Sequence, residues 1–404
     1  MRGCQTLQCL VRKHDSWQPE DDDEEFERNV DWFSSGLSDH MPSRDYSFPR
    51  TRPERHGISS PHAENCFWQV EEAHNYAMPF HPSCLEVYKR ASKLRQGFVD
   101  IEGVTGWWQM EADYELFHSF PRDEAVQRGR SQEWEHHPGG SFLAANPLFV
   151  LALDELLRSA VQEDPTFSVR NGAFSVQQTH NSGCSDPFAK LPDELRMHVL
   201  SYLQSSSIAQ LRVASRSFAQ LPISLWYDLL RREIPSLWEI WSDIPYAYWA
   251  TVTSTQADAS EKAFQEQKQI QHDALQVLKE EMPEVYENVS QQWTKPERCR
   301  KPVKPMRLPY AQTNWYQLYT DITRDWAKLK GLKNRERIWR DCEEILRRVN
   351  QYRFNDQIPV RDIRSVVQAS IDRQIARNQA WNERCARERE ERERREVMKK
   401  ADEA

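Results

Sequence analysis

Residues 186–233, DPFAKLPDELRMHVLSYLQSSSIAQLRVASRSFAQLPISLWYDLLRRE, constrain the fold of this chain more than any other stretch. Pro192 suits a first helical turn, where a missing N–H costs nothing and φ is already set. Leu195, Val199, Leu200 and Leu203 then recur at i, i+4, i+5 and i+8, one apolar face of a helix. Ser205, Ser206 and Ser207 break that helix, and one of them is expected to cap the next. Ile208, Leu211, Ser215 and Phe218 make a second face. Pro222 stops it, and Ser224 is placed to cap a third helix carrying Leu225, Trp226, Leu229 and Leu230. Three such short helices bury one another poorly, because a unit this small is near the lower limit of independent stability. Part of its apolar surface should therefore be spare, for a partner or for the rest of the chain.

The joint order of Leu191-Pro192-Asp193-Glu194-Leu195, Leu200-Ser201-Tyr202-Leu203, Leu211-Arg212-Val213-Ala214-Ser215 and Leu225-Trp226 resembles the F-box. That compact helical module docks onto the Skp-type adaptor of cullin-based ubiquitin ligases. The resemblance implies adaptor contact through Leu191, Pro192, Leu195, Val199, Leu200, Leu203, Ile208, Leu211, Leu225 and Trp226. An F-box usually has an acidic residue where Ser207 stands, Cys or Ser at the Ser215 position, and Trp where Phe218 stands; Phe keeps the aromatic volume. Phe80-His81-Pro82-Ser83-Cys84, Leu225 to Leu230 with Trp238 and Trp241, Asn314-Trp315-Tyr316-Gln317-Leu318-Tyr319 and Leu329 to Arg335 together resemble a group of filamentous-fungal F-box proteins.

Composition sets the surroundings. Of 404 residues, 39% are hydrophobic and 29% charged, too polar for one globule throughout. Fifteen Trp nevertheless supply large anchors for the folded parts. The net charge of −8 gives no global pull toward nucleic acid or an anionic membrane. Eight scattered Cys do not form a disulfide framework, and residues 1–10 lack the apolar core of a signal peptide. The apolar stretch 142–157 is too short and too polar to span a bilayer. A cytoplasmic or nuclear location follows as the expectation.

The expected fold is mainly α: a small three-helix F-box inside a larger helical, aromatic-rich body with irregular and minor β parts, and disordered or solvated tails. Residues 1–65 read as a disordered acidic region whose block Glu20–Glu25 is a solvating tail. Residues 66–180 are aromatic and mixed, with a possible hairpin at Asn171-Gly172. Residues 186–233 are the F-box. Residues 234–350 are helical and pack on it, with a long helical tract near 257–292, a basic link Lys295–Arg307, and two helices separated at Gly331. Residues 351–404 are a charged tail.

Catalytic and metal chemistry are thin. With 12 Gly the chain has no glycine-rich phosphate loop, and no nucleophile elbow or HExxH appears. His81 and Cys84 have half-site spacing for zinc, with Cys66 and His74 as nearby candidates in a Cys-x7-His-x6-His-x2-Cys string, but the spacing is loose and has no tight first pair. No metal or other cofactor is expected. The resemblance implies a non-catalytic receptor that binds a Skp-type adaptor, and through it a cullin, while flanking regions hold a protein target. Trp107 and Trp108 are the candidate target contacts, since two adjacent Trp beside Gly103 and Gly106 do not easily both face one core. An interaction or scaffold protein outside ubiquitylation is the alternative, and a zinc- or nucleic-acid-binding module a weaker one.

Overall fold

A computed structural model describes residues 6–14, 17–38, 55–56, 58–59, 77–111, 120–131, 138–169, 174, 186–292, 296–298 and 300–356. The chain divides into two compact units, Met1–Val349 and Asn350–Ala404. The expected hairpin turn at Asn171-Gly172, as well as Cys66, His74 and residues 357–404, lies outside the described residues.

The structure is mainly α, as the periodicities imply. In chain order the helices are α1 (Glu25–Asn29), α2 (Pro82–Gln96), α3 (Ile101–Glu111), α4 (Glu124–Ser131), α5 (Leu151–Ser159), α6 (Asp193–Ser201), α7 (Ser205–Ala214), α8 (Ile223–Glu233), α9 (Tyr248–Thr251), α10 (Ser254–Glu281), α11 (Pro283–Gln292), α12 (Trp315–Asp325) and α13 (Lys330–Phe354). Strands are β1 (Gln8–Arg12), β2 (Trp32–Ser34), β3 (Leu37–Ser38), β4 (Ile58–Ser59) and β5 (Ala77–Phe80). β1 is the centre of an antiparallel sheet of order β2-β1-β5, with Leu10 opposite both Ser34 and Met78. β3 and β4 form a short parallel pair.

That sheet corrects the expectation for residues 1–65. Within the described part of this span, Cys9, Leu10, Val11, Trp32, Phe33 and Leu37 are buried. The span is polar on average, but its few apolar residues are gathered at β1 to β3, and burial follows the local cluster rather than the mean. The acidic block is not a solvating tail either. Glu24 and Glu27 close a reciprocal capping box on α1, and Glu24 also pairs with Lys89 of α2.

The main core joins α5, the helices of 186–233, Leu237, Ile240, Leu308, α12 and the start of α13. Leu153, Leu157 and Ala160 are the buried stripe of α5, and Trp315, Leu318 and Ile322 that of α12. Trp226 packs between the tilted rings of Tyr316 and Tyr319 with ring centroids 5.0 Å apart in each case, and the Tyr227 ring centre lies 5.0 Å from that of Trp315. The spare surface expected of the three-helix unit is therefore partly used up inside the chain, along α8.

A buried polar centre ties this body together. Arg335 of α13 is fully enclosed, and its Nη1 donates to both carboxylate oxygens of Glu239 at 2.9 Å. Its Nη2 donates to the carbonyl of Leu148 at 3.2 Å, and its guanidinium lies 3.7 Å from the Trp238 ring centre. Arg90 of α2, also fully enclosed, faces the same Trp238 ring at 4.7 Å and is paired with Glu86. Charges this deep are tolerated only when paired and hydrogen-bonded. Gly331 is not the helix stop expected of it: it lies inside α13, where an added Cβ would meet the Asn146 carbonyl oxygen at 2.5 Å and Val150 Cγ2 at 2.6 Å. It is a close-approach glycine. The tract expected near 257–292 is split at Met282, where Pro283 starts α11 without an N–H to donate.

Candidate docking surface

The three helices of 186–233 are held by three side-chain locks. Asp186 accepts from Phe188 N at 3.0 Å, from Ser215 Oγ at 2.6 Å and from Ser217 Oγ at 2.8 Å. Those donors, the Ser215 hydroxyl foremost, hold its carboxyl down at about 2. Asp186 thus caps the turn before α6 and pins the turn after α7. Glu233, at the end of α8, accepts from Ser205 N at 2.8 Å and from the Tyr319 hydroxyl at 3.1 Å. Arg232 donates to the carbonyls of Ser201 and Leu203, which close α6. Both ends of the α6–α7 turn are therefore fastened to α8.

These locks replace the caps expected from the sequence. Gln204, not a serine, is the N-cap residue of α7 and makes no side-chain cap; a carboxylate from another helix does that work. Pro192 is the N-cap of α6 rather than its first residue, followed by Asp193 and Glu194, whose charge favours a helix N-terminus. Pro222 precedes α8, so Ser224 lies inside that helix.

The ten candidate contact residues separate by depth. Leu200, Ile208, Leu225 and Trp226 are buried in the main core. They shape the module from inside, and the structure does not place them on its surface. Leu191, Val199, Leu203 and Leu211 are half-buried, and Pro192 is exposed. Leu195 is 49% exposed. Two further apolar residues, which the periodicity did not single out, are more open: Tyr202 at 75% and Val213 at 90%. Pro192, Leu195, Val199 and Tyr202 fall at i, i+3, i+7 and i+10, one line along the outer side of α6. The Tyr202 ring packs edge-on against His198 with centroids 5.0 Å apart. The signal for Val213 was its phase: it falls between the inward Ile208, Leu211 and Ser215 and cannot share their face.

The other candidates lie elsewhere. Trp107 corrects the expectation of an open target contact: it is 7% exposed, packed edge-on against Phe120 at 5.8 Å. Both Trp sit on α3, and helix geometry turns consecutive side chains about 100° apart, so Trp107 points inward while Trp108 is half-buried. His81 is the N-cap residue of α2 and Cys84 lies in its first turn, with Sγ 3.8 Å from His81 Nδ1. Among the described residues, no group of three or more His, Cys, Asp or Glu side chains is gathered as a metal site. No helix among them is long and apolar enough to cross a membrane.

The bundle buries Leu200, Ile208 and Phe218 on one side and leaves Leu195, Tyr202 and Val213 open on the other. Residues 188–232 match the family model described as F-box-like, and the chain carries that domain. Over 47 residues the chain is also 53% identical to the mitochondrial ATP-dependent RNA helicase mss116 of Aspergillus oryzae. That match covers 12% of this chain and 7% of the helicase. No solved structure matches the chain.

Proposed function

We propose that this protein is a non-catalytic substrate receptor of a Skp–cullin–F-box ubiquitin ligase, acting in the cytoplasm or nucleus. In this reading the outer side of α6 and α7 binds the Skp-type adaptor, the adaptor brings the cullin, and the flanking body holds the target. The F-box-like domain supports adaptor binding in general. The observation that carries the reading further is the line Pro192, Leu195 and Tyr202, with Val213 on the next helix, left open beside the half-buried Val199 while Leu200 and Ile208 of the same helices are buried. Soluble proteins seldom leave such apolar side chains together in water unless a partner covers them. The neighbouring Glu233 and Arg232 contacts hold α6 and α7 in one relative position, so this surface is presented already formed, which lowers the ordering cost of binding.

Affinity purification with the proteasome blocked tests the whole reading. Intact protein should bring down adaptor and cullin together with a target, and a Leu195→Asp/Val213→Asp variant should lose adaptor and cullin while keeping the target. Recovery of adaptor without any cullin would remove the ligase and leave an adaptor-binding scaffold.

A further inference from the structure

The basic link read in the sequence as Lys295–Arg307 meets the acidic block Glu20–Glu25 across more than 270 residues of chain. Arg298 Nη1 lies 2.9 Å from Glu20 Oε2, and Arg300 Nη1 lies 3.1 Å from Asp22 Oδ2. Arg55 pairs with Asp23 at 2.5 Å and reaches Glu20 at 3.5 Å. His56 sits between the two sets: Nε2 is 3.0 Å from Glu20 Oε1 and Nδ1 is 2.7 Å from Arg300 Nη1. The short contact with an arginine, which can only donate, makes Nδ1 the acceptor and Nε2–H the donor to Glu20. The two link arginines also rest on rings. Arg298 is 4.3 Å from the Phe264 ring centre and Arg300 is 4.4 Å from that of Trp249.

The geometry is that of a receptor and a bound peptide. Glu20, Asp22 and Asp23 turn toward the cations, while Asp21 and Glu25 are exposed. The carboxylates thus read the site at i, i+2 and i+3. Glu20, Asp22 and Asp23 lie in a turn just before Glu24, the N-cap residue of α1, so the three reading carboxylates stand outside the helix itself. The cations instead come from two other segments: the link arginines stand on aromatic side chains of α9 and α10, and Arg55 lies over the Trp17 and Phe33 rings. Glu261 of α10, 3.0 Å from Arg298 and 3.3 Å from Arg300, orients both guanidinium groups whether or not the block is present. That same carboxylate disfavours a dense polyanion such as nucleic acid, which would have to approach it. It leaves room for a peptide with a few spaced carboxylates.

We propose that Arg55, His56, Arg298 and Arg300 form a receptor site for an acidic peptide of a partner protein, occupied in this chain by its own Glu20, Asp22 and Asp23. The block is a tethered pseudo-ligand, so a partner peptide binds only by displacing it. The proposal takes from the receptor reading only the purpose of a second binding surface; the contacts stand without it. Glu20 is the most open of the three carboxylates, while Asp22 and Asp23 are largely enclosed with their arginines, so the block leaves only where an incoming segment supplies carboxylates in the same places.

The test uses the full chain and a fluorescein-labelled peptide of its own residues 18–25, titrated by fluorescence anisotropy at low salt with no adaptor present. The Glu20→Gln/Asp22→Asn/Asp23→Asn variant should bind the peptide at least about tenfold more tightly than the unaltered chain, because a vacated site no longer competes. Adding Arg298→Ala and Arg300→Ala should abolish the gain. A variant that melts normally yet binds no better than the unaltered chain overturns the proposal. So does a single-stranded oligonucleotide of matched charge that competes better than the peptide, since the patch would then be a nucleic-acid surface. If the triple variant does not fold, Asp22→Asn alone should still raise peptide binding several-fold, and no rise overturns the proposal. Because the adaptor is absent from the assay, this failure is distinct from failure of adaptor binding.

Discussion

Replacing Arg335 with Met removes the centre of the body while keeping much of its volume. The change leaves the Glu239 carboxylate buried without the two 2.9 Å bonds it now accepts, and strips a donor from the Leu148 carbonyl. It also removes the cation that lies 3.7 Å over Trp238. Breaking one partner out of a buried, hydrogen-bonded pair costs about 3–5 kcal/mol. At about 2–4 °C per kcal/mol for a domain of this class, the melting midpoint should fall by roughly 6–20 °C. Differential scanning fluorimetry of the full chain reads this directly. The reasoning makes a sharper claim in the double variant. Glu239→Gln in the Arg335→Met background removes the stranded charge, so the pair of changes should be less harmful than Arg335→Met alone. Arg335→Lys should fall between, because it keeps the charge but loses the planar fork that reaches Glu239 and the backbone together. A loss of under about 2 °C for Arg335→Met, or a double variant as unstable as the two single losses added, would refute the argument that this centre is a paired buried charge.

Three further outcomes follow from particular contacts. Gly331→Ala should destabilise by about 1–3 kcal/mol in urea titrations, against the helix preference for Ala, because the new methyl meets the Asn146 carbonyl at 2.5 Å. Asp186→Ala should cost about 1–2 kcal/mol through the lost cap and serine bonds; its carboxyl, held at about 2 by Ser215 and Ser217, stabilises the fold fully above about 3.8 and loses that effect as pH falls through about 2. Glu27 has the opposite sign: burial, then the charge of Glu24, pushes its carboxyl up to about 8, so its contribution is complete below 4.5 and lost as pH rises through 8. Melts of the intact chain should therefore weaken as pH rises from about 4.5 to about 8, and Glu27→Gln should flatten that slope; equal slopes in the two proteins would contradict the assignment.

Local patterns were legible in the sequence wherever one residue's phase decides its depth. The three helices of 186–233 follow from 3.6-residue spacing and the breaks at Ser205–Ser207 and Pro222. Contacts set by distant partners were not. Nothing in Ser205 reveals that Glu233 will cap its helix, and nothing in Gly331 reveals that the backbone at Asn146 passes beside it. The acidic block looked like a solvated tail because its cations lie far along the chain. Depth within the docking module was half legible. Periodicity set Leu195 and Leu200 on one apolar face, yet the first is half open and the second fully buried, and Trp226, read as an adaptor contact, lies in the core. Only the rings of Tyr316 and Tyr319 on α12 decide its side.

Calorimetric titration of the purified full chain with a Skp-type adaptor bears most directly on the central claim. The intact protein should bind at micromolar concentration or below. Leu195→Asp/Val213→Asp, which changes only exposed positions, should melt like the intact protein and bind at least about tenfold more weakly, a loss of about 1.4 kcal/mol or more. Leu200→Ala, buried in the shared core, should instead lower the melting midpoint. Folded protein that shows no adaptor binding at micromolar concentration, or a double variant that binds as tightly as the intact chain, would contradict the account.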